Sequence, residues 1–109
     1  TYNASPDSMK AAINVLTATK GFRKIAILAD MFELGENSEA FHAEVGRYAA
    51  ENSVDLLVAV GTQARHIAEA AKEILGEDKV HYYETKELLI NRIGSMISSG
   101  DVILLKGSR

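Results

Sequence analysis

The chain has 109 residues, enough for one domain and too few for two full cores. Its formal charge of −3 lacks the basic excess that nucleic-acid-binding domains carry, and no apolar run reaches the roughly 20 residues that span a bilayer. With no cysteine there is no disulfide, thiolate metal site or cysteine nucleophile, in keeping with a reducing cytoplasm.

Taken from the N-terminus, Ser5 is a helix cap and Pro6 occupies the first helical position. Met9, Ala12, Ile13 and Leu16 follow at helical spacing, and Gly21 ends the segment. Residues 24–29, KIAILA, form a short continuous apolar run, the pattern of a strand buried on both faces. A second helix is predicted from Ser38 to Glu51, with Phe41, Val45, Tyr48 and Ala49 on one side. Another buried-strand run spans 55–60 and closes at Gly61. Ala64, Ile67, Ala68, Ala71, Ile74 and Leu75 then make a nearly unbroken helical stripe, stopped by Gly76. Val80 to Tyr83 read as a weaker strand. A fourth helix over 85–98 turns Leu89, Ile93, Met96 and Ile97 inward, and a last strand covers 101–106.

The order is αβαβαβαβ. Strands joined by helices run parallel, with right-handed crossovers and helices on both sheet faces, so the chain is predicted to be a doubly wound α/β domain. It opens on a helix cap with no strand before it and stops two residues past Gly107. The expectation is one domain, residues 1–109, taken from a longer protein.

In open parallel sheets ligands bind beyond the carboxyl ends of the strands. That rule selects the loops at 30–37, 61–63, 84–85 and 106–109, with the helix start at 3–8 on the same edge. Asp30, directly after a buried strand, either braces its loop through backbone N–H groups or orients a substrate amine; Glu33 and Glu36 share the loop. Lys106 and Arg109 flank Gly107 and Ser108, where a backbone without Cβ admits a close ligand and an Arg fork suits a carboxylate or phosphate; solvated terminal charge is the alternative. His42, His66 and His81 lack metal-ligand spacing and read as structural. There is no G-x-x-x-x-G-K-[ST] phosphate loop, no G-x-G-x-x-G turn and no G-x-S-x-G elbow. The domain reads as one wall of an active site.

Three ordered blocks carry a resemblance. Tyr2-Asn3-Ala4-Ser5-Pro6-Asp7-Ser8-Met9, with Ala11, Ala12 and Leu16, resembles the start of the C-terminal domain of the Mur ligases. Residues 28–36, LADMFELGE, then Ser38, His42, Val45 and Gly46, are similar to the family block L-G-D-M-L-E-L-G-E-x-S…H…V-G. Residues 100–109, GDVILLKGSR, are similar to its G-D-x-V-L-V-K-G-S-R segment, and Val60-Gly61 lies between. Ser5 stands where the family has Asn, and Ala29 where it has Gly.

The resemblance implies a three-layer, Rossmann-like domain of a bacterial, cytoplasmic, ATP-dependent amide ligase of peptidoglycan synthesis. Such enzymes have an N-terminal domain for the UDP-sugar peptide, a central domain with the phosphate loop and Mg²⁺, and this one. The reaction it implies phosphorylates the carboxylate of UDP-N-acetylmuramoyl-tripeptide to an acyl phosphate. The amine of D-alanyl-D-alanine attacks that carbonyl, releasing ADP and phosphate. On the matching positions, Asn3, Ala4, Ser5 and Pro6 lie by the adenine and ribose of ATP on closure. Asp30, Met31, Glu33, Lys106, Gly107, Ser108 and Arg109 form the acceptor side, with Lys106 or Arg109 meeting the dipeptide carboxylate and Asp30 orienting loop or amine. No metal is held here, and the domain alone is expected to be inactive. Two alternatives remain. One is a relative such as another Mur ligase or folylpolyglutamate synthetase, whose loops after this strand differ. The other is a flavodoxin- or receiver-like binding module, which would need an acidic pair after the first strand and an Asp ending a later one.

Overall fold

The computed structural model describes residues 4–107. Its elements are α1 (Pro6–Ala18), β1 (Lys24–Ala29), α2 (Ser38–Glu51), β2 (Leu56–Val60), α3 (Arg65–Leu75), β3 (Val80–Tyr83), α4 (Lys86–Met96) and β4 (Val102–Lys106), with short 3₁₀ turns at Gly35–Asn37 and Glu77–Lys79. The predicted αβαβαβαβ order is the observed one. Helix α1 begins where its cap directs: the Ser8 N–H donates to Ser5 Oγ (3.1 Å) and the Ser5 N–H to Ser8 Oγ (2.9 Å), a reciprocal capping box.

All four strands are parallel, in the order β3-β2-β1-β4. Handedness then places the helices. The steps β1 to β2 and β2 to β3 move one way along the sheet, so right-handed crossovers put α2 and α3 on one face. The step from β3 back across the sheet to β4 reverses direction and puts α4 on the other. Packing agrees. One apolar cluster joins Met9, Ile13, Val45, Ala49 and Ile67 to Ala26, Leu28, Leu57 and Ala59 of the sheet, so α1 shares the face with α2 and α3. A smaller one joins Leu89 of α4 to Ile25, Ile27, Leu56, Val58 and Val60.

The two faces are therefore unequally covered. The last strand, predicted over 101–106, is β4, and its burial alternates: Val102 and Leu104 pack against the larger cluster, while Leu105 is 73% exposed. It is an edge strand whose second face lies beyond the reach of α4. In α4 only Leu89 is buried; Ile93 and Met96 are half-buried and Ile97 is exposed, because the helix stops at Met96. In α3 the buried arc is turned toward Ala70, leaving Ile74 exposed.

Candidate functional site

The carboxyl ends of the strands gather the loops that the sequence selected. Register sets Lys106 beside Leu28, two residues before Asp30, so Asp30 and Lys106 lie at one end of the sheet. Gly107 packs directly on Ala29: a Cβ there would overlap the Ala29 methyl, so no larger residue fits. The start of α1 belongs to the same edge, since its last turn is at the opposite one, where Lys24 Nζ donates to the Thr17 carbonyl at 3.3 Å. Ala4 is buried in the core, Ser5 is engaged in the cap and Pro6 opens the helix. Asn3, Ser108 and Arg109, also assigned to the site from sequence, lie outside the described residues.

Asp30 is tied to the next loop. Its Oδ1 accepts the Ala64 N–H at 2.7 Å, satisfying a donor that the start of α3 would leave without an acceptor. The carboxylate lies over Gly61, whose φ of +123° and lack of side chain make room for it. On the far side Tyr82 Oη donates to the Gly61 carbonyl at 2.8 Å. Burial first, then the Glu84 carboxylate, hold the Tyr82 pKa above its ordinary 10.0, so the phenol keeps the proton it donates. Asp30 thus acts as a brace through a backbone N–H group, one of its two sequence readings, but on the β2–α3 loop rather than on its own.

The loop after Asp30 is held from beneath by His42, the one fully buried polar side chain among the described residues. His42 Nε2 accepts the Met31 N–H at 3.0 Å, and Nδ1 donates to the Ser38 carbonyl at 2.7 Å. These partners require the neutral ring with its proton on Nδ1. Ser38 Oγ in turn donates to Gln63 Oε1 at 3.1 Å, linking α2 to the β2–α3 loop. Met31 is packed into the core, whereas Phe32 is exposed and Glu33 adopts φ +64°. That left-handed conformation is costly for a residue with a Cβ and persists where surrounding bonds enforce it.

Three clefts border this loop or its edge. One of about 320 Å³ is lined by Asp30, Phe32, Gly61, Thr62, Glu84 and Lys86, over a floor of Ala29 and Val60. A second, about 450 Å³, continues along α4 past Lys86, Leu89 and Ile90 to Lys106 and Gly107. The third, about 510 Å³, lies toward α2 and α3 and contains Glu33, Glu36, Glu39, Gln63 and His66. There His66 Nδ1 is 3.3 Å from Glu69 and 3.9 Å from Glu39. Sequence reasoning chose the 84–85 and 61–63 loops but singled out neither Thr62 nor Glu84, and missed Lys86. Their signal was position alone, the first residues after β2 and β3. Among the described residues no group of three His, Asp or Glu side chains is placed to hold a metal ion.

The described residues thus form a doubly wound parallel sheet whose carboxyl edge carries charged side chains. The chain belongs to the Mur ligase family: residues 1–109 match the family described as Mur ligase, glutamate ligase domain. It is 39% identical over 109 residues to the UDP-N-acetylmuramoyl-tripeptide–D-alanyl-D-alanine ligase of Bacillus subtilis, and 39% identical over 110 residues to that of Escherichia coli, in each case across 99% of this chain. The crystal structure of MurF from Acinetobacter baumannii superposes over all of the chain with a TM-score of 0.81 and 36% identity, covering 24% of that protein. The MurF ligase of Thermotoga maritima in complex with ADP gives 0.75 and 29%, again over all of this chain and 24% of that one. The chain spans about a quarter of the length of the curated relatives it matches.

Proposed function

We propose that this domain is the acceptor-side wall of an ATP-dependent amide ligase that joins D-alanyl-D-alanine to UDP-N-acetylmuramoyl-tripeptide in the cytoplasm. The observation that carries the reading is the juxtaposition, at one sheet edge, of Asp30, Lys86 and Lys106 around small clefts. The relatives it resembles are ligases of that name. A dipeptide presents an amine and a carboxylate, and the edge offers both complementary signs. The alternative of a receiver-like module lacks support: among the described residues Asp30 is the one Asp directly after a strand, while β2 and β4 are followed by Gly61 and Gly107 and β3 by Glu84.

Among the described residues no three His, Asp or Glu side chains are placed to hold a metal ion, and the sequence has no phosphate loop, so ATP phosphates and Mg²⁺ are assigned to other domains of a longer chain. What this domain contributes is orientation and exclusion of water. The free oxygen of Asp30 faces the amine end of the acceptor, and the lysines face its carboxylate end. Holding the amine at attacking distance from an activated carboxyl contributes on the order of 7–11 kcal/mol, and closing the domain over that carboxyl keeps water away. The segment Ala4–Pro6, with Asn3 before it, would meet the adenosine on closure.

The test is ligation by the longer protein that contains this domain. Asp30→Ala and Arg109→Ala are expected to lower ligation of D-alanyl-D-alanine at least tenfold; Asp30→Ala, which also strips the Ala64 N–H of its acceptor, should lower the melting temperature by several degrees as well. Normal turnover in both variants would overturn the site assignment.

A further inference from the structure

We propose that Lys86, at the start of α4, is the anchor for the free carboxylate of the acceptor and sets the preference of the site for a dipeptide with an unblocked C-terminus. This inference rests on the acceptor-side reading above and deepens it. Among the described residues, three that line the cleft containing Asp30 are charged: Asp30, Glu84 and Lys86. Lys106, which sequence reasoning and the family resemblance put forward for the carboxylate, lines only the neighbouring cleft. Lys86 lines both, together with Ala29 and Val60. It therefore sits where the charged cleft passes into the apolar one.

Charge and size then select the ligand. At about 320 Å³ the cleft is at the small end of the range for ligand pockets, so it suits a molecule of dipeptide size rather than a nucleotide sugar. Two anions and one cation in one small lining favour a zwitterion whose ammonium faces Asp30 and Glu84 and whose carboxylate faces Lys86. None of the ion pairs among the described residues involves Lys86 or Glu84. Asp30 has one oxygen fixed by Ala64, which orients the other. The ammonium of Lys86 is a mobile point charge on a flexible stem, suited to a carboxylate that arrives with the substrate.

The experiment uses the intact ligase and two acceptors, D-alanyl-D-alanine and its C-terminal amide, which differ only in the carboxylate charge. A charge-assisted hydrogen bond to that carboxylate is expected to give a preference of about ten- to a hundredfold for the acid, carried by the acceptor KM. Lys86→Ala should erase the preference and leave the KM for ATP unchanged, and Lys86→Arg should restore much of it. Lys86 is exposed, so neither substitution disturbs the core; a melting curve checks this. If the unsubstituted enzyme prefers the acid and Lys86→Ala still does, the inference is overturned, and loss of the preference in Lys106→Ala would move the anchor there. No preference in the unsubstituted enzyme overturns the inference alone. Failure of that enzyme to ligate D-alanyl-D-alanine overturns the functional reading as well.

Discussion

His42 shows how a core position governs a surface loop. Both ring nitrogens are satisfied, by the Met31 N–H and the Ser38 carbonyl, at a site without solvent access. His42→Ala would leave both backbone groups without partners and open a cavity. The expected loss is about 3 kcal/mol of unfolding free energy, read by chemical denaturation. His42→Gln keeps an acceptor for Met31 and should lose less than half of that. Because Met31 follows Asp30 directly, the alanine variant should also weaken the acceptor site more than the glutamine one. From sequence His42 reads as a structural histidine beside an apolar stripe, and its burial agrees. Its partners were not legible, since they depend on how the 30–37 loop folds back over α2.

Between elements, α2 and α3 approach each other closely at Gly46. Gly46 lies in mid-helix, where glycine costs about 0.5–1 kcal/mol relative to alanine. A Cβ at that position, however, would overlap the Ile67 carbonyl oxygen of α3. The neighbour is backbone and cannot swing aside, so overpacking, at about 1–3 kcal/mol or more, outweighs the gain in propensity. Gly46→Ala is expected to destabilise the domain by at least 1 kcal/mol, measured by thermal or urea unfolding, against the helix-propensity expectation. The second face of the sheet is built differently. Leu89 is the single buried residue of α4, so this layer is held by few contacts and should exchange amide hydrogens sooner than α2 and α3.

Across the whole molecule, one ion pair lies at the end of the sheet opposite the candidate site. At the amino edge Arg23 grips the edge strand: its Nε and Nη2 donate to the two carboxylate oxygens of Asp101 at 3.1 and 2.8 Å, and Nη2 also reaches the Met96 carbonyl at 2.8 Å. The Ser98 N–H donates to Asp101 Oδ2 at 2.7 Å. The hydrogen bond from Arg23 is the main reason that the Asp101 pKa lies below its ordinary 3.8, with the Ser98 N–H assisting against the opposing effect of burial. A carboxyl whose pKa is depressed by folding stabilises the native state above the unfolded value, and that contribution is lost as pH falls through the folded value. Unfolding should therefore become easier below about pH 4, and Asp101→Asn should flatten that acid limb while lowering stability at neutral pH. Since the staple is remote from Asp30 and Lys86, the variant should leave the acceptor KM unchanged.

The element order and most boundaries followed from local chemistry alone, because Pro6, the Ser5 cap, the runs at 24–29 and 55–60 and the stop at Gly76 act within a few residues of chain. That the loops of the candidate site share one edge was legible for a similar reason, since parallel strands send all their following loops to one end. Strand order, by contrast, is a matter of which distant segments pair. Only the fold decided that β4 lies outside β1, that α4 alone covers the second face, and that Leu105 therefore stays exposed despite its apolar run. The same is true of Asp30 reaching Ala64 and of Lys86 sharing a cleft with Asp30. These contacts join residues tens of positions apart, and no periodicity along the chain encodes them.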